Sequence, residues 1–282
     1  MRILTFDIED WFHLLDFKET QSVKSWKDFE SRIYIGMQSI FSLLDKHNIS
    51  ATFFVLGWVA KEYPDIVREI DKRGFEIGSH SHLHQLAFNQ SFNTFYNDVE
   101  ESIKTIEDCI GKKVVSFRAP GFSITEENKW AFDALYKLGI KKDSSIFPAK
   151  RSHGGYNSYV KAEPSVLKYN GTILKEFPIN TYNFLGKSLV FSGGGYFRVL
   201  PYSVIKKFTK NSDYVMSYFH PRDFDYMQPM LKGLPISRRF KSYVGLKKSY
   251  HKLDKWLQEF NFISLEQADN QIKWHDKKII EI

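Results

Sequence analysis

The chain has 282 residues, 43% of them hydrophobic and 16% aromatic, and this excludes a disordered chain and supplies a sizeable core. Its net charge is +7, but the lysines and arginines are scattered, and no zinc-finger, helix-turn-helix or RNA-binding signature accompanies them, which argues against a nucleic-acid partner. Cys109 is the sole cysteine, so an intrachain disulfide is excluded.

Arg2–Asp7 reads as a short apolar strand that ends in acids. Ile33, Met37, Ile40, Phe41 and Leu44 follow helical spacing, and Ser50–Leu56 is a buried-strand run. Pro64 opens the next helix at its first turn and Gly74 stops it. Phe75–Ser79 is a strand that leads into a histidine cluster. Phe95, Val99, Ile103, Ile106 and Ile110 mark an amphipathic helix closed by Gly111, with Cys109 as a small residue on its apolar face. Val114–Phe117 is a strand ending at Arg118, Thr125 is expected to cap a helix that Gly139 ends, and Ile140–Ser145 is a further strand. From about 150 to 200 the chain turns to Gly, Ser, Asn and Tyr, with short strands at Ile173–Phe177 and Leu189–Phe191, and is read as a β-rich insertion. Tyr214–Phe219 is another core strand, ending at His220. A helix over Leu246–Phe260 and a strand over Phe262–Leu265 form the tail, within about 235–282. The alternation predicts an α/β fold, a parallel sheet with helical crossovers, in one domain over 1–282. The chemically active residue types fall at the C-terminal ends of strands, where such sheets and barrels build their sites.

His80 and His84 are four residues apart. On a helical turn both imidazoles would share one face and one ion, whereas a polar loop that merely contains histidines would not. Asp7-Ile8-Glu9-Asp10 places three carboxylates within four residues, and their mutual repulsion is relieved if a cation neutralises them; a surface turn is the plainer alternative. One carboxylate with two histidines and open positions is the pattern of a catalytic metal site.

Five features in order, Thr5-Phe6-Asp7 with Asp10, His80-Ser81-x-x-His84, Arg118-Ala119-Pro120-Gly121-Phe122, Asp143-Ser144-Ser145 and His220-Pro221, resemble the motifs of polysaccharide deacetylases of the NodB-homology type, carbohydrate esterase family 4. The resemblance covers about residues 2–265. It is nearest to a bacterial subgroup with an Asp-x-Glu-Asp first motif and a Gly-Gly-Gly-Tyr-Phe-Arg segment, here Gly193–Arg198, whose members accompany exopolysaccharide and lipopolysaccharide synthesis. It implies an irregular, seven-stranded (β/α) barrel and a metal-dependent hydrolase that removes N-acetyl or O-acetyl groups from a polysaccharide or saccharide intermediate.

The same resemblance assigns roles. Asp7 would be the general base, paired with Arg118. Asp10, His80 and His84 would hold one divalent metal, zinc foremost, with cobalt, nickel or iron also admitted. The family's two aspartates are usually adjacent. Here Ile8 and Glu9 separate them, so Glu9 is the alternative carboxylate, and strand alternation favours it. His220 would be the general acid, oriented by Asp143. Gly121, Phe122, Gly194 and Tyr196 would meet substrate, the backbone N–H near Gly121 and Phe122 stabilising the oxyanion. Arg222, Asp223 and Asp225 follow His220 without an assigned role.

Two other readings stay open: a cyclic-amide C–N hydrolase of the same fold, and a non-catalytic glycan-binding relative. The basic stretch Arg238-Arg239-Phe240-Lys241 with Lys247-Lys248 reads first as a solvated face, then as a contact for an anionic glycan or a membrane surface. There is no signal-peptide pattern and no run of about 18 apolar residues, so a cytoplasmic location without a transmembrane segment is expected. Oligomeric state and the identity of the sugar are not readable.

Overall fold

The computed structural model describes residues 1–15, 17–149, 154–159, 162–184, 187–231 and 233–282. Parts of the stretch between 150 and 200 therefore lie outside the described residues. In chain order the strands are β1 (Arg2–Ile3), β2 (Thr5–Ile8), β3 (Thr52–Val55), β4 (Glu76–Ser79), β5 (Ser116–Phe117), β6 (Lys142–Asp143), β7 (Ser165–Tyr169), β8 (Thr172–Glu176), β9 (Tyr182–Phe184), β10 (Lys187–Leu189), β11 (Val215–Met216) and β12 (Ile279–Glu281).

One eight-stranded sheet organises the fold, in the order β12-β7-β8-β6-β5-β4-β3-β2. From β2 to β8 every neighbouring pair is parallel, whereas β7 and β8 form an antiparallel hairpin. β2 and β3 are fully buried, with Phe6 stacked on Phe53 at 5.2 Å, as expected of strands covered on both faces. On the outer side of β2, Asp7 N–H donates to the Phe219 carbonyl at 2.8 Å and Phe219 N–H to that of Thr5 at 3.2 Å. The far side of β2 is thus met by the segment after β11 through single bridges, and regular ladders do not form a closed ring among the described residues.

Helices form where the apolar spacing predicts. The helix Ile33–His47 buries Ile33, Met37, Ile40, Leu43 and Leu44. Pro64 stands at the start of Pro64–Lys72, and Gly74 follows it at φ 75°. Ser91 caps Phe92–Ile110 by accepting the Thr94 N–H, and Gly111 closes that helix in the left-handed region.

Other elements differ from expectation. Thr125 does not cap the helix Trp130–Lys137; its N–H and hydroxyl both donate to Asn128 Oδ1, closing a turn ahead of it. The β7–β8 hairpin belongs to the main sheet, since β8 pairs with β6, so this stretch is no mere insertion. Gly194–Val199 is a short helix. Ile263 makes a single bridge to Ile3, and Ser264 then opens the helix Leu265–Gln271 through a reciprocal cap with Gln267. Among the described residues no helix is long and apolar enough to cross a membrane.

Register explains the site. Ser79 pairs with Phe117, Phe117 with Asp143 and Asp143 with Glu176, so these strands end level with one another. The next residues, His80 and Arg118, therefore leave the sheet side by side near Asp7.

Candidate metal centre and its surroundings

Glu9, His80 and His84 come together just past β2 and β4, all buried, each offering a ligand atom within 4.8 Å of the others. Glu9 Oε2 lies 2.5 Å from His84 Nε2, yet it is a buried oxygen with no hydrogen-bond partner. A carboxylate oxygen and an imidazole nitrogen are both able to ligate, and their meeting here suits a cation shared between them. The His80 ring is prepared for the same purpose. Its Nδ1 is 2.8 Å from the Arg118 carbonyl, which can only accept, so Nδ1 carries the proton and Nε2 keeps its lone pair. Burial pushes His80 down to about 4 against the pull of Asp7, which leaves the ring neutral, the form that ligates. Burial alone would raise Glu9; the imidazoles of His84 and His220 more than reverse this and hold it ionised, below the usual carboxylate range. The donor set fits a divalent ion.

The histidines do not sit on a helical turn as their spacing suggests. They are brought together by a loop with Ser81 at φ 68° and His84 at φ 53°. Asp98, on the helix Phe92–Ile110, holds this backbone by accepting the N–H groups of His82 and Leu83 at 2.8 and 3.0 Å. Ser81 Oγ accepts the His84 N–H at 3.1 Å. Left-handed backbone at two non-glycine residues persists only where such contacts over-determine it.

Asp10 does not join the cluster. Its carboxylate accepts from Trp11 N–H at 2.7 Å, Ser31 Oγ at 2.5 Å and Arg32 N–H at 3.1 Å, tying the strand exit to the start of Ile33–His47. With its oxygens committed there, it is the alternative carboxylate, Glu9, that lies with the two histidines.

Asp7 faces the same space from β2. Arg118, fully buried, donates from Nη1 to Asp7 Oδ1 at 2.7 Å and to Thr5 Oγ1 at 2.7 Å. Its Nε and Nη2 reach the carbonyl and hydroxyl of Ser144 at 3.2 and 3.0 Å, and Phe54 lies 4.3 Å from the guanidinium. The second oxygen, Asp7 Oδ2, is turned towards His220 Nε2 at 3.9 Å, and Glu9 Oε1 is 3.6 Å from the same nitrogen.

The partner that orients His220 is Asp223. Its Oδ2 lies 3.0 Å from His220 Nδ1, and it also accepts the His220 N–H at 2.9 Å. Arg198 Nε contacts the other oxygen at 3.1 Å. Burial would depress His220, but the Glu9, Asp223 and Asp7 carboxylates together raise it to about 9. Burial likewise opposes ionisation of Asp223, and Arg198 and His220 overcome it, taking it down to about 2. Asp143, expected in this orienting role, is elsewhere. Its oxygens accept from Ser145 Oγ at 2.7 Å and Ser145 N–H at 3.1 Å, and it lies beside the buried Glu176 carboxyl. The sequence carried the true signal in His220-Pro221-Arg222-Asp223, an acid three residues beyond a histidine across a proline-opened turn, where it closes a reciprocal cap.

A cavity of about 850 Å³ opens over this group, within the range of small-molecule sites, about 300–1,000 Å³. Asp7, Glu9, His80, His84 and His220 line it, as do the expected substrate contacts Gly121, Phe122, Gly194 and Tyr196. Phe122 N–H is spent on the Ala119 carbonyl at 3.0 Å, so the expected oxyanion donor at that residue is committed to the turn.

Two family models match the chain: polysaccharide deacetylase over residues 35–141, and a domain of unknown function (DUF3473) over residues 144–270. The match to polysaccharide deacetylases covers residues 35–141, less than half of the chain. The chain is 29% identical over 102 residues to a peptidoglycan-N-acetylglucosamine deacetylase of Bacillus cereus, a match covering 36% of this chain and 37% of the relative. A chitooligosaccharide deacetylase of Azorhizobium caulinodans is 32% identical over 83 residues, 29% of this chain and 40% of that protein. The chain thus spans about two fifths of the length of these curated relatives. A crystal structure of a proposed polysaccharide deacetylase from Mycobacterium smegmatis superimposes with a TM-score of 0.68, at 18% identity, over 99% of this chain and 92% of the other, which shows a shared α/β fold.

The carboxyl pair behind the site yields a stability prediction. Burial, reinforced by the Asp143 charge, drives Glu176 well above its ordinary 4.5, and burial raises Asp143 as well. A raised carboxyl favours the folded state fully below its unfolded pKa and loses that contribution as pH climbs through the folded value. Thermal midpoints of the parent should therefore fall as pH rises above about 4.5. Glu176→Gln, which keeps an oxygen for the Ile146 N–H, should flatten that slope; an unchanged slope would mean that the pair does not share a proton.

Proposed function

We propose that the protein is a metal-dependent deacetylase that hydrolyses the N-acetyl group, or an O-acetyl ester, of a saccharide, with one divalent ion held by Glu9, His80 and His84. The observation that carries this reading is the convergence of that trio with two separately supported proton-transfer groups, Asp7 on Arg118 and His220 on Asp223, around one cavity. Zinc suits a mixed nitrogen and oxygen set, as do cobalt, nickel and iron. We further read residues 1–282 as a single unit, an irregular barrel in which the segment around β11 completes what the regular ladders leave open.

When bound, the ion would act as a Lewis acid and favour ionisation of water beside it. The chain's own residues do the rest. Arg118 fixes Asp7 through one oxygen and leaves the other facing the cavity, where it takes a proton from the attacking water. His220, held by Asp223 and raised to about 9, is protonated near neutrality and gives its Nε2 proton to the departing amine. Arg198 anchors Asp223, which gives the Gly193–Arg198 segment a part in the site beyond its glycines.

The test is acetate release from N-acetylglucosamine oligosaccharides together with metal content. The protein should contain about one ion per chain, and exhaustive chelation should abolish turnover, restored by adding back one divalent metal. His80→Ala should lose both ion and activity. Full turnover after complete metal removal would overturn the proposal. Asp223→Asn should lower kcat by about 10- to 100-fold, in line with the loss of an orienting carboxylate, and move the basic limb of the pH–rate profile to lower pH, because one of the anions that hold His220 protonated is gone.

A further inference from the structure

One wall of the cavity carries buried hydrogen-bond donors with nothing to receive them. Arg222 is only 8% exposed and lines the cavity; its Nη2 is buried without a hydrogen-bond partner, and the guanidinium lies 6.0 Å from the Tyr243 ring. The acids around it are committed elsewhere. Asp223 serves His220 and Arg198, Asp225 receives both the Nε and Nη2 groups of Arg32 at 2.5 and 3.0 Å, and Glu9 stands in the trio.

His13 lines the same cavity. Its Nδ1 accepts the Asp10 N–H at 3.0 Å, so the ring proton belongs on Nε2, and that atom too is buried without a partner. The ring is fixed between Trp26 at 4.3 Å and Trp58 at 5.1 Å, 6.0 Å from the His84 ring. Arg198 and Lys241 line the same cavity.

A buried guanidinium nitrogen with no acceptor is costly unless something occupies the place in front of it. We propose that Arg222, assisted by the His13 N–H, binds an oxyanion, a carboxylate or a phosphate, carried by the acetylated saccharide. The guanidinium fork matches either group through two parallel hydrogen bonds, which a neutral hydroxyl does not offer. The naming of a saccharide rests on the deacetylase reading; the anion site itself does not.

The experiment uses the metal-loaded protein and three substrates: a neutral N-acetylglucosamine oligosaccharide, the same oligosaccharide bearing a glucuronate, and the same bearing an anomeric phosphate. One charged form should be processed with a kcat/KM about 10- to 100-fold above the neutral one. In Arg222→Gln that ratio should fall to about one, and Arg222→Lys, which keeps the charge without the fork, should retain part of it. Whichever charged form shows the preference identifies the anion. Equal rates on all three substrates, or a preference untouched in Arg222→Gln, would sink the idea. Calorimetric titration with sulfate provides a readout independent of turnover: binding by the parent should be lost in Arg222→Gln and weakened in Arg222→Lys. Acetate release from none of the substrates would defeat the deacetylase reading alone, and the sulfate titration would still decide the anion site, with identical binding by parent and variants overturning it.

Discussion

Glu9→Ala is expected to take the bound metal from about one ion per chain to near zero and acetate release to background, whereas Asp10→Asn should keep its ion. The two acids are adjacent, and their surroundings separate them. Glu9 is buried against His84 with an oxygen that has no hydrogen-bond donor, and the two histidines complete its cluster. Asp10 already accepts from Ser31, Arg32 and Trp11, although burial alone pushes its carboxyl above the ordinary range. Asp10→Asn keeps one acceptor oxygen and loses the charge near a helix start, an effect of about 0.5–2 kcal/mol on stability. Metal analysis of both purified variants, with thermal melts alongside, separates a ligand from a structural acid. An ion retained in the Glu9 variant and lost in the Asp10 variant would reverse the assignment.

That pair also shows where sequence reading runs out. The alternation of β2 pointed to Glu9 on the side of Asp7, while the analogy with adjacent aspartates pointed to Asp10. What decides between them is Ser31 and Arg32, more than twenty residues on in sequence, and no local pattern displays that tie. The four-residue spacing of His80 and His84 correctly paired the imidazoles for the wrong geometric reason. Asp98 draws the intervening backbone into a loop, and its contribution depends on how a distant helix packs. Periodicity located the helices Ile33–His47, Pro64–Lys72, Phe92–Ile110, Trp130–Lys137 and Leu246–Glu259 because burial of one face creates it, and it left others, such as Tyr202–Lys210 and Leu265–Gln271, unread. Of the β7–β8 hairpin the apolar pattern marks only the second strand, although Asn170-Gly171 is a strong hairpin signal and both residues adopt positive φ, 46° and 82°. Asp143 looked apt as a partner for His220 because it ends a strand near the site. Its side chain is drawn instead to Glu176 at the next strand end, a register relation that composition cannot supply.

Among variants that keep the ion, Asp7→Asn carries the largest kinetic expectation: kcat should fall by about 10²–10⁴ while the metal remains bound. Asn is nearly isosteric and retains an oxygen where Arg118 Nη1 now donates, so the side chain can stay in place. What it lacks is a basic atom facing the cavity, where Asp7 Oδ2 is directed towards His220 Nε2 at 3.9 Å. A loss confined to kcat with KM nearly unchanged would mark an interaction made only in the transition state. The buried arginine supplies the control. Arg118 loses its countercharge in Asp7→Asn, and an unpaired buried charge can cost about 3–5 kcal/mol, so the melting temperature should drop even as the ion is kept. If the inactivity were only a consequence of lost stability, activity would return at low temperature, where the variant is folded. If Asp7→Asn turns over at the parent rate while folded and loaded with metal, the proton must go to another group. Glu9 is engaged in the metal trio and His220 is held protonated by the carboxylates around it, so that result would undo the division of labour proposed for the whole site.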